Sequence, residues 1–203
     1  MTTHAHALSG SGIDGSWYLD ATDFARDTPW LNGLLLDYSS FGIALFVVLI
    51  IAAWWIARRA DAATMTAALA VPVAAVAAYL INDGLKSLIA EKRPCSTYPD
   101  AFLIEKCPPT TDYSFPSNHA VVAAAMAAAL FLINRRLGIV AGVAATIMGM
   151  SRVYVGAHYP HDVAAAVAVG VIVGLATALG LRRYATPLIE RLSTGRLRRA
   201  LTT

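Results

Sequence analysis

A chain of 203 residues that is 57% hydrophobic and only 14% charged, with a mean hydropathy of +0.57, lies outside the composition of soluble globular domains and reads as a membrane protein. Its net charge of +3 and isoelectric point near 9.0 do not indicate a nucleic-acid partner. The arginines cluster at the ends of apolar runs, where membrane topology accounts for them.

The first 37 residues carry a single basic side chain, Arg26, and no basic stretch precedes an apolar one. A cleavable signal peptide is not expected. Trp17, Tyr18, Phe24, Trp30 and the leucine-rich residues 31–36 suggest an amphipathic segment lying in the membrane interface. His4 and His6 alone do not make a metal ligand set, and no metal role is assigned to them.

Five uncharged runs follow, at residues 38–57, 62–82, 113–134, 137–151 and 163–181. About 20 helical residues cross a hydrocarbon core of about 30 Å. The fourth run is short, so its helix is expected to continue to about Val155 and to bring Arg152 near the membrane surface, where it can snorkel. The predicted fold is all-α: an integral membrane bundle of about five transmembrane helices plus an N-terminal interfacial amphipathic helix. Residues 1–37 form the interfacial segment, 38–184 the membrane domain and 185–203 a basic tail that meets anionic lipid.

Arg58 and Arg59, Arg135 and Arg136, and Arg182 and Arg183 alternate correctly for one side of the membrane. The positive-inside rule makes that side cytoplasmic. The connections at residues 85–112 and 152–162 then lie outside. Cys95 and Cys107, the only cysteines, share the first of these, and an oxidising compartment favours a disulfide between them, worth about 3 kcal/mol for so short a loop.

Three polar blocks interrupt the apolar chain, all on the outer side. In the first, residues 86–94 (KSLIAEKRP), a continuing second helix would put Lys86 and Arg93 two turns apart on one face, an ammonium and a guanidinium suited to phosphate oxygens. Interfacial anchoring is the competing explanation. In the second, residues 116–119 (PSNH), Ser117 is placed to cap the next helix, whose free amides form an anion site. Capping accounts for Ser117 and Asn118 but not for His119. In the third, residues 151–162 (SRVYVGAHYPHD), Pro160 can start a helix, so Asp162 can reach back to His158. A carboxylate on one imidazole nitrogen fixes the tautomer and leaves the other nitrogen as nucleophile or base. The competing explanation is a pair that only ties loop to helix. Charges this close to hydrocarbon ask for a functional reason.

The ordered set, Lys86 with Arg93-Pro94, then Pro116-Ser117 with His119, then Ser151-Arg152 with His158 and Asp162, resembles the type 2 phosphatidic acid phosphatase superfamily, the lipid phosphate phosphatases. The resemblance runs from about residue 40 to 183. Asn118 departs from it, since the commonest form has glycine there. The short bacterial members that hydrolyse undecaprenyl diphosphate look most similar. The resemblance implies a hydrolase of the plasma membrane with its active site on the extracytoplasmic face. His158 would be the nucleophile, Asp162 its orienting carboxylate and His119 the acid and base. Lys86, Arg93, Ser117, Asn118 and Arg152 would bind the phosphate. It implies no cofactor, no metal and no nucleic acid; the partners are the bilayer and a lipid phosphate. A polyprenyl (undecaprenyl or decaprenyl) diphosphate is the expected substrate, with phosphatidylglycerophosphate or phosphatidate as the alternative. Vanadate-dependent haloperoxidases carry a similar constellation in soluble proteins. A non-enzymatic lipid-binding or transport protein would be expected to lose His119, His158 or Asp162, and all three are present. The sequence sets no oligomeric state.

Overall fold

The computed structural model describes residues 9–194 and Leu201; His4, His6, Arg196, Arg198 and Arg199 lie outside the described residues. The described chain is helical: α1 (Ser11–Asp27), α2 (Pro29–Phe41), α3 (Ile43–Ala57), α4 (Ala62–Ile89), the short α5 (Pro94–Thr97), α6 (Asn118–Phe131), α7 (Arg135–Tyr154) and α8 (Pro160–Ser193). Local chemistry sets several boundaries. The Asp61 carboxylate accepts from the Thr64 amide at 2.7 Å to open α4, and the Asn134 side chain accepts from Arg136 and Leu137 amides to open α7. Pro160 occupies the first turn of α8, where its missing N–H costs nothing.

Three helices, α4, α7 and α8, are long and apolar enough to cross a membrane, and α2 with α3 forms a pair bent by 54° that passes the same test together. The third apolar run becomes a helix only at Asn118 and stops at Phe131, because Pro116 and the Ser117 cap delay its start. Apolar side chains such as Val76, Leu80, Val143, Met150 and Ile172 remain exposed on the outside of the bundle, as a lipid-facing surface requires.

α6 sits at the centre, packed by α4, α7 and α8. Half of its residues are alanine, and α8 meets it with Gly170 and Gly174. A Cβ at Gly170 would lie 2.4 Å from the Val121 carbonyl oxygen, and one at Gly174 2.4 Å from that of Ala125. Small residues four apart thus let the two backbones touch, as in membrane helix pairs. The N-termini of α6 and α8 are joined by a bond from the Ser117 amide to the Asp162 carbonyl at 3.3 Å.

Three sequence expectations are corrected. α4 ends at Ile89 with Ala90 in the left-handed region at φ 51°, so Lys86 and Arg93 are not on one helix face. The chain turns before Arg93, and Pro94 starts α5. Arg152 does not snorkel: its side chain is 4% exposed, since the connection between α5 and α6 folds over it through Glu105. The N-terminal segment is two helices, and it does more than lie in the interface. Trp17, Phe24 and Trp30 are exposed, but Tyr18 is fully buried and donates to the Gly156 carbonyl at 3.1 Å. Gly156 adopts φ 84°, a conformation that favours glycine.

Candidate active site

Four chain ends converge at one end of the bundle: the C-termini of α4 and α7 and the N-termini of α6 and α8. They bring the three polar blocks together. Lys86, Arg93, Ser117, Arg152, His158 and Asp162 are all buried there.

At the centre is His158, in the turn between α7 and α8 and 2% exposed. Its Nδ1 lies 3.2 Å from Asp162 Oδ2. The same carboxylate oxygen accepts from the Tyr159 amide at 2.9 Å and from the Ser114 hydroxyl. Three donors on one oxygen hold Asp162 in place, and Asp162 in turn holds the His158 ring with its proton on Nδ1. The other nitrogen, Nε2, is then unprotonated and lies 3.5 Å from Arg93 Nη1. Burial, followed by the charges of Arg93, Arg152 and Lys86, keeps the His158 pKa well below its ordinary value of 6.5. A neutral imidazole with a free lone pair is the state a nucleophile needs.

Around it the cations are held by carboxylates of the connection between α5 and α6. Lys86 Nζ lies 3.2 Å and Arg93 Nη2 2.9 Å from the two oxygens of Asp112, and Arg93 also donates to the Asp112 and Ala157 carbonyls at 3.0 Å each. Burial alone would raise the Asp112 pKa; the hydrogen bonds and charges of Arg93 and Lys86 outweigh it and hold the carboxyl below its usual range. Arg152 forks onto Glu105 at 2.7 and 3.0 Å and donates to the Ser39 hydroxyl of α2 at 2.5 Å. Asp112 and Glu105 are half-exposed partners of buried cations. A phosphate offers the same donors the same kind of acceptor.

The second block divides its roles. Ser117 stands at the N-cap of α6, but its side chain makes no capping bond; the hydroxyl is buried and without a partner among the described residues. A buried orphan hydroxyl asks for an acceptor. Asn118 turns away to Asn82, whose amide donates to Asn118 Oδ1 at 2.6 Å and to the Pro116 carbonyl at 3.0 Å. The asparagine that departs from the family pattern therefore has a structural partner in α4. His119 lines a cavity of about 220 Å³ with Ile43, Tyr79, Asn118 and Val122, an otherwise mostly apolar hollow beside the polar cluster.

Cys95 and Cys107 are disulfide-bonded with their Cα atoms 5.9 Å apart, which ties the connection close to Glu105. Glu91, His161 and Asp162 place ligand-type atoms within 4.8 Å of one another. His158 engages only the Oδ2 side of the Asp162 carboxylate, and Oδ1 lies 3.4 Å from His161 Nε2.

A family model described as the PAP2 superfamily matches residues 67–184, which contain Lys86, Arg93, Glu105, Asp112, His119, Arg152, His158 and Asp162. The chain belongs to the PAP2 superfamily. Among PAP2 and related proteins, it is 32% identical over 136 residues to an undecaprenyl-diphosphatase of Sulfolobus acidocaldarius, covering 66% of this chain and 63% of that one, so it spans a little under two thirds of that relative's length. It is 27% identical over 144 residues to undecaprenyl-diphosphatase BcrC of Bacillus subtilis, covering 71% of this chain and 72% of that one. The crystal structure of Aquifex aeolicus LpxE shares the PAP2 fold with a TM-score of 0.67 at 21% identity, over 83% of this chain and 95% of that one.

Several residues at this PAP2 site were not found by sequence reasoning. Ser114, Asp112 and Glu105 lie in a connection without helical periodicity, so nothing in the spacing pairs them with Asp162, Lys86, Arg93 or Arg152. Asn82 looked like the end of an apolar run, although it is fully buried inside α4; a lone amide late in a membrane helix was the available signal.

Proposed function

We propose that this chain is a lipid phosphatase of the plasma membrane that hydrolyses a polyprenyl diphosphate to the monophosphate and inorganic phosphate, with its site on the extracytoplasmic face. The observation that carries the reading is His158: a buried neutral imidazole, backed on Nδ1 by a fully buried carboxylate, with Nε2 directed toward Arg93. The names of the similar proteins support the substrate class.

In the first step His158 Nε2 attacks the terminal phosphorus. The bond from phosphorus to the bridging oxygen breaks, its electron pair goes to that oxygen, and His119, which burial and then the nearby cations keep neutral in the free protein and which gains its proton as the anionic diphosphate binds beside it, supplies the proton. In the second step His119, now neutral, takes a proton from water as the water oxygen attacks phosphorus; the P–N bond breaks and its electrons return to Nε2. Lys86, Arg93, Arg152 and the Ser117 hydroxyl hold the equatorial oxygens, where charge shifts in the transition state. Binding the diphosphate displaces Asp112 and Glu105 from the cations. The hollow beside His119 gives the apolar tail a place next to the leaving oxygen. No step calls for a cofactor.

The test is phosphate release by the purified protein in detergent from a polyprenyl diphosphate, phosphatidate and phosphatidylglycerophosphate, with and without EDTA. The expected result is a preference of at least about 10-fold in kcat/KM for the diphosphate, unchanged by EDTA. Equal rates on all three lipids would remove the substrate assignment and leave the chemistry standing. For orientation, an impermeant thiol reagent should label Cys95 and Cys107 in intact cells after reduction; labelling only after lysis would reverse the topology.

A further inference from the structure

Asp162 has a second imidazole on its other oxygen. His161 Nδ1 lies 2.7 Å from Asp14 Oδ1, and its backbone amide donates to Asp14 Oδ2 at 2.7 Å. Its Nε2 lies 3.1 and 3.3 Å from the two oxygens of Glu91 and 3.4 Å from Asp162 Oδ1. Ionised carboxylates only accept, so both ring nitrogens carry protons and the ring is an imidazolium. Two aromatic rings stack against it, Phe115 at 5.7 Å and Tyr159 at 5.4 Å between centroids, at 26° and 21°. Aromatic faces at that distance favour a cation.

The N-terminal segment closes this box. Ser9 bridges to Lys92. A Cβ on Gly10 would come within 2.4 Å of His161 Cε1 and 2.5 Å of Glu91 Oε1, so the backbone there lies directly on the pair. Asp14 comes from α1. Meanwhile Asp162 Oδ1 is fully buried and takes no hydrogen bond; its contact with His161 Nε2 is an ion-pair distance beyond hydrogen-bond geometry. A buried carboxylate oxygen in that position needs a compensating charge.

We propose that His161 is a positioning residue for the reaction: an imidazolium, locked by Asp14 and Glu91, that keeps Asp162 ionised and turned so that Oδ2 stays on His158. α1 thereby becomes part of what orients the nucleophile. The inference rests on the phosphatase reading above. A divalent ion held by Glu91, His161 and Asp162 is the competing occupant of the same atoms. The imidazolium is favoured because the Nε2 proton already serves both Glu91 oxygens.

The experiment uses the full chain in detergent with a polyprenyl diphosphate as substrate, comparing wild type, His161→Gln, Asp14→Asn, Glu91→Gln and the His161→Gln/Asp14→Asn double variant. His161→Gln is expected to lower kcat about 10- to 100-fold, the loss of one charge-assisted contact, with KM changed by less than about 3-fold. Asp14→Asn lowers kcat by less, and the double variant is no slower than His161→Gln, because Asp14 acts through His161. Metal analysis of the wild type finds no stoichiometric divalent ion. A raised KM with unchanged kcat, additive losses in the double variant, or one divalent ion per chain that His161→Gln abolishes would each overturn the proposal. If His161→Gln does not elute as a folded species, Asp14→Asn and Glu91→Gln decide it: unchanged kcat in both overturns it. A wild type inactive on every lipid phosphate would instead sink the phosphatase reading, whereas full kcat in His161→Gln within an active wild type sinks this inference alone.

Discussion

His158 and His161 stand three positions apart, and Asp162 touches both, yet their surroundings make opposite demands on the same ring. His158 has one carboxylate, shared with Ser114 and the Tyr159 amide, and faces Arg93 on its far nitrogen. Its second proton has nowhere favourable to sit. His161 has an acidic partner on each nitrogen and two aromatic rings stacked against it, so its second proton is held. One turn of chain thus carries a neutral imidazole suited to attack and a charged one suited to support. The residue type is the same; the count and sign of neighbouring charges decide the role.

That contrast breaks most visibly at His158. His158→Ala should lower kcat by at least about 10³-fold, since no other side chain at the site supplies the same lone pair; steady-state phosphate release checks it. Asp162→Asn removes the charge that both rings use, and a loss of about 10²- to 10⁴-fold in kcat is expected, by analogy with other carboxylates that fix an imidazole tautomer. Ser114→Ala takes away one of three donors on Asp162 Oδ2 and should cost about 10-fold in kcat with KM little changed.

The pH dependence sharpens the comparison further. His158 is neutral in the folded protein well below its ordinary pKa of 6.5, so the acid limb of kcat/KM set by this group should lie below pH 6.5. The sign for stability follows. As pH falls below 6.5 the unfolded chain takes up a proton at this position and the folded one does not, so stability falls on acidification. Asp112 works in the same direction: its lowered pKa contributes stability above the usual carboxylate range, lost as pH falls through the folded value. The smallest effect is expected from Asp112→Asn. It frees Lys86 and Arg93 for phosphate and should lower KM a few-fold, about 2- to 5-fold, on the scale of a half-exposed ion pair. It also leaves His158 facing uncompensated cations, moving the acid limb lower still. A raised KM in this variant would mean that Asp112 helps to bind substrate.

Much of this arrangement was legible in the sequence, and the gaps have physical causes. The apolar runs gave the long helices because a membrane span leaves its length in the chain. The i to i+4 spacing of His158 and Asp162 across Pro160 was enough to pair them. Lys86 and Arg93 illustrate the opposite case. Helical periodicity put them on one face, whereas a single left-handed residue at Ala90 ends the helix and brings them together by a turn. Alanine at that angle leaves no local signal, unlike glycine. Asp14, Glu91 and His161 were invisible as a group because they come from three segments whose meeting depends on how α1 packs. Asp112 and Glu105 were equally hidden, since loop carboxylates reveal partners only once the loop is folded.

The central claim is that His158 Nε2 becomes covalently phosphorylated. The direct measurement is rapid acid-free quenching of the enzyme during turnover of a polyprenyl diphosphate labelled in its terminal phosphate, followed by peptide mapping. The account predicts an acid-labile, alkali-stable label on the peptide containing His158, absent from His158→Ala. A label on His119 or another residue, or turnover with no labelled peptide at any quench time, would contradict it.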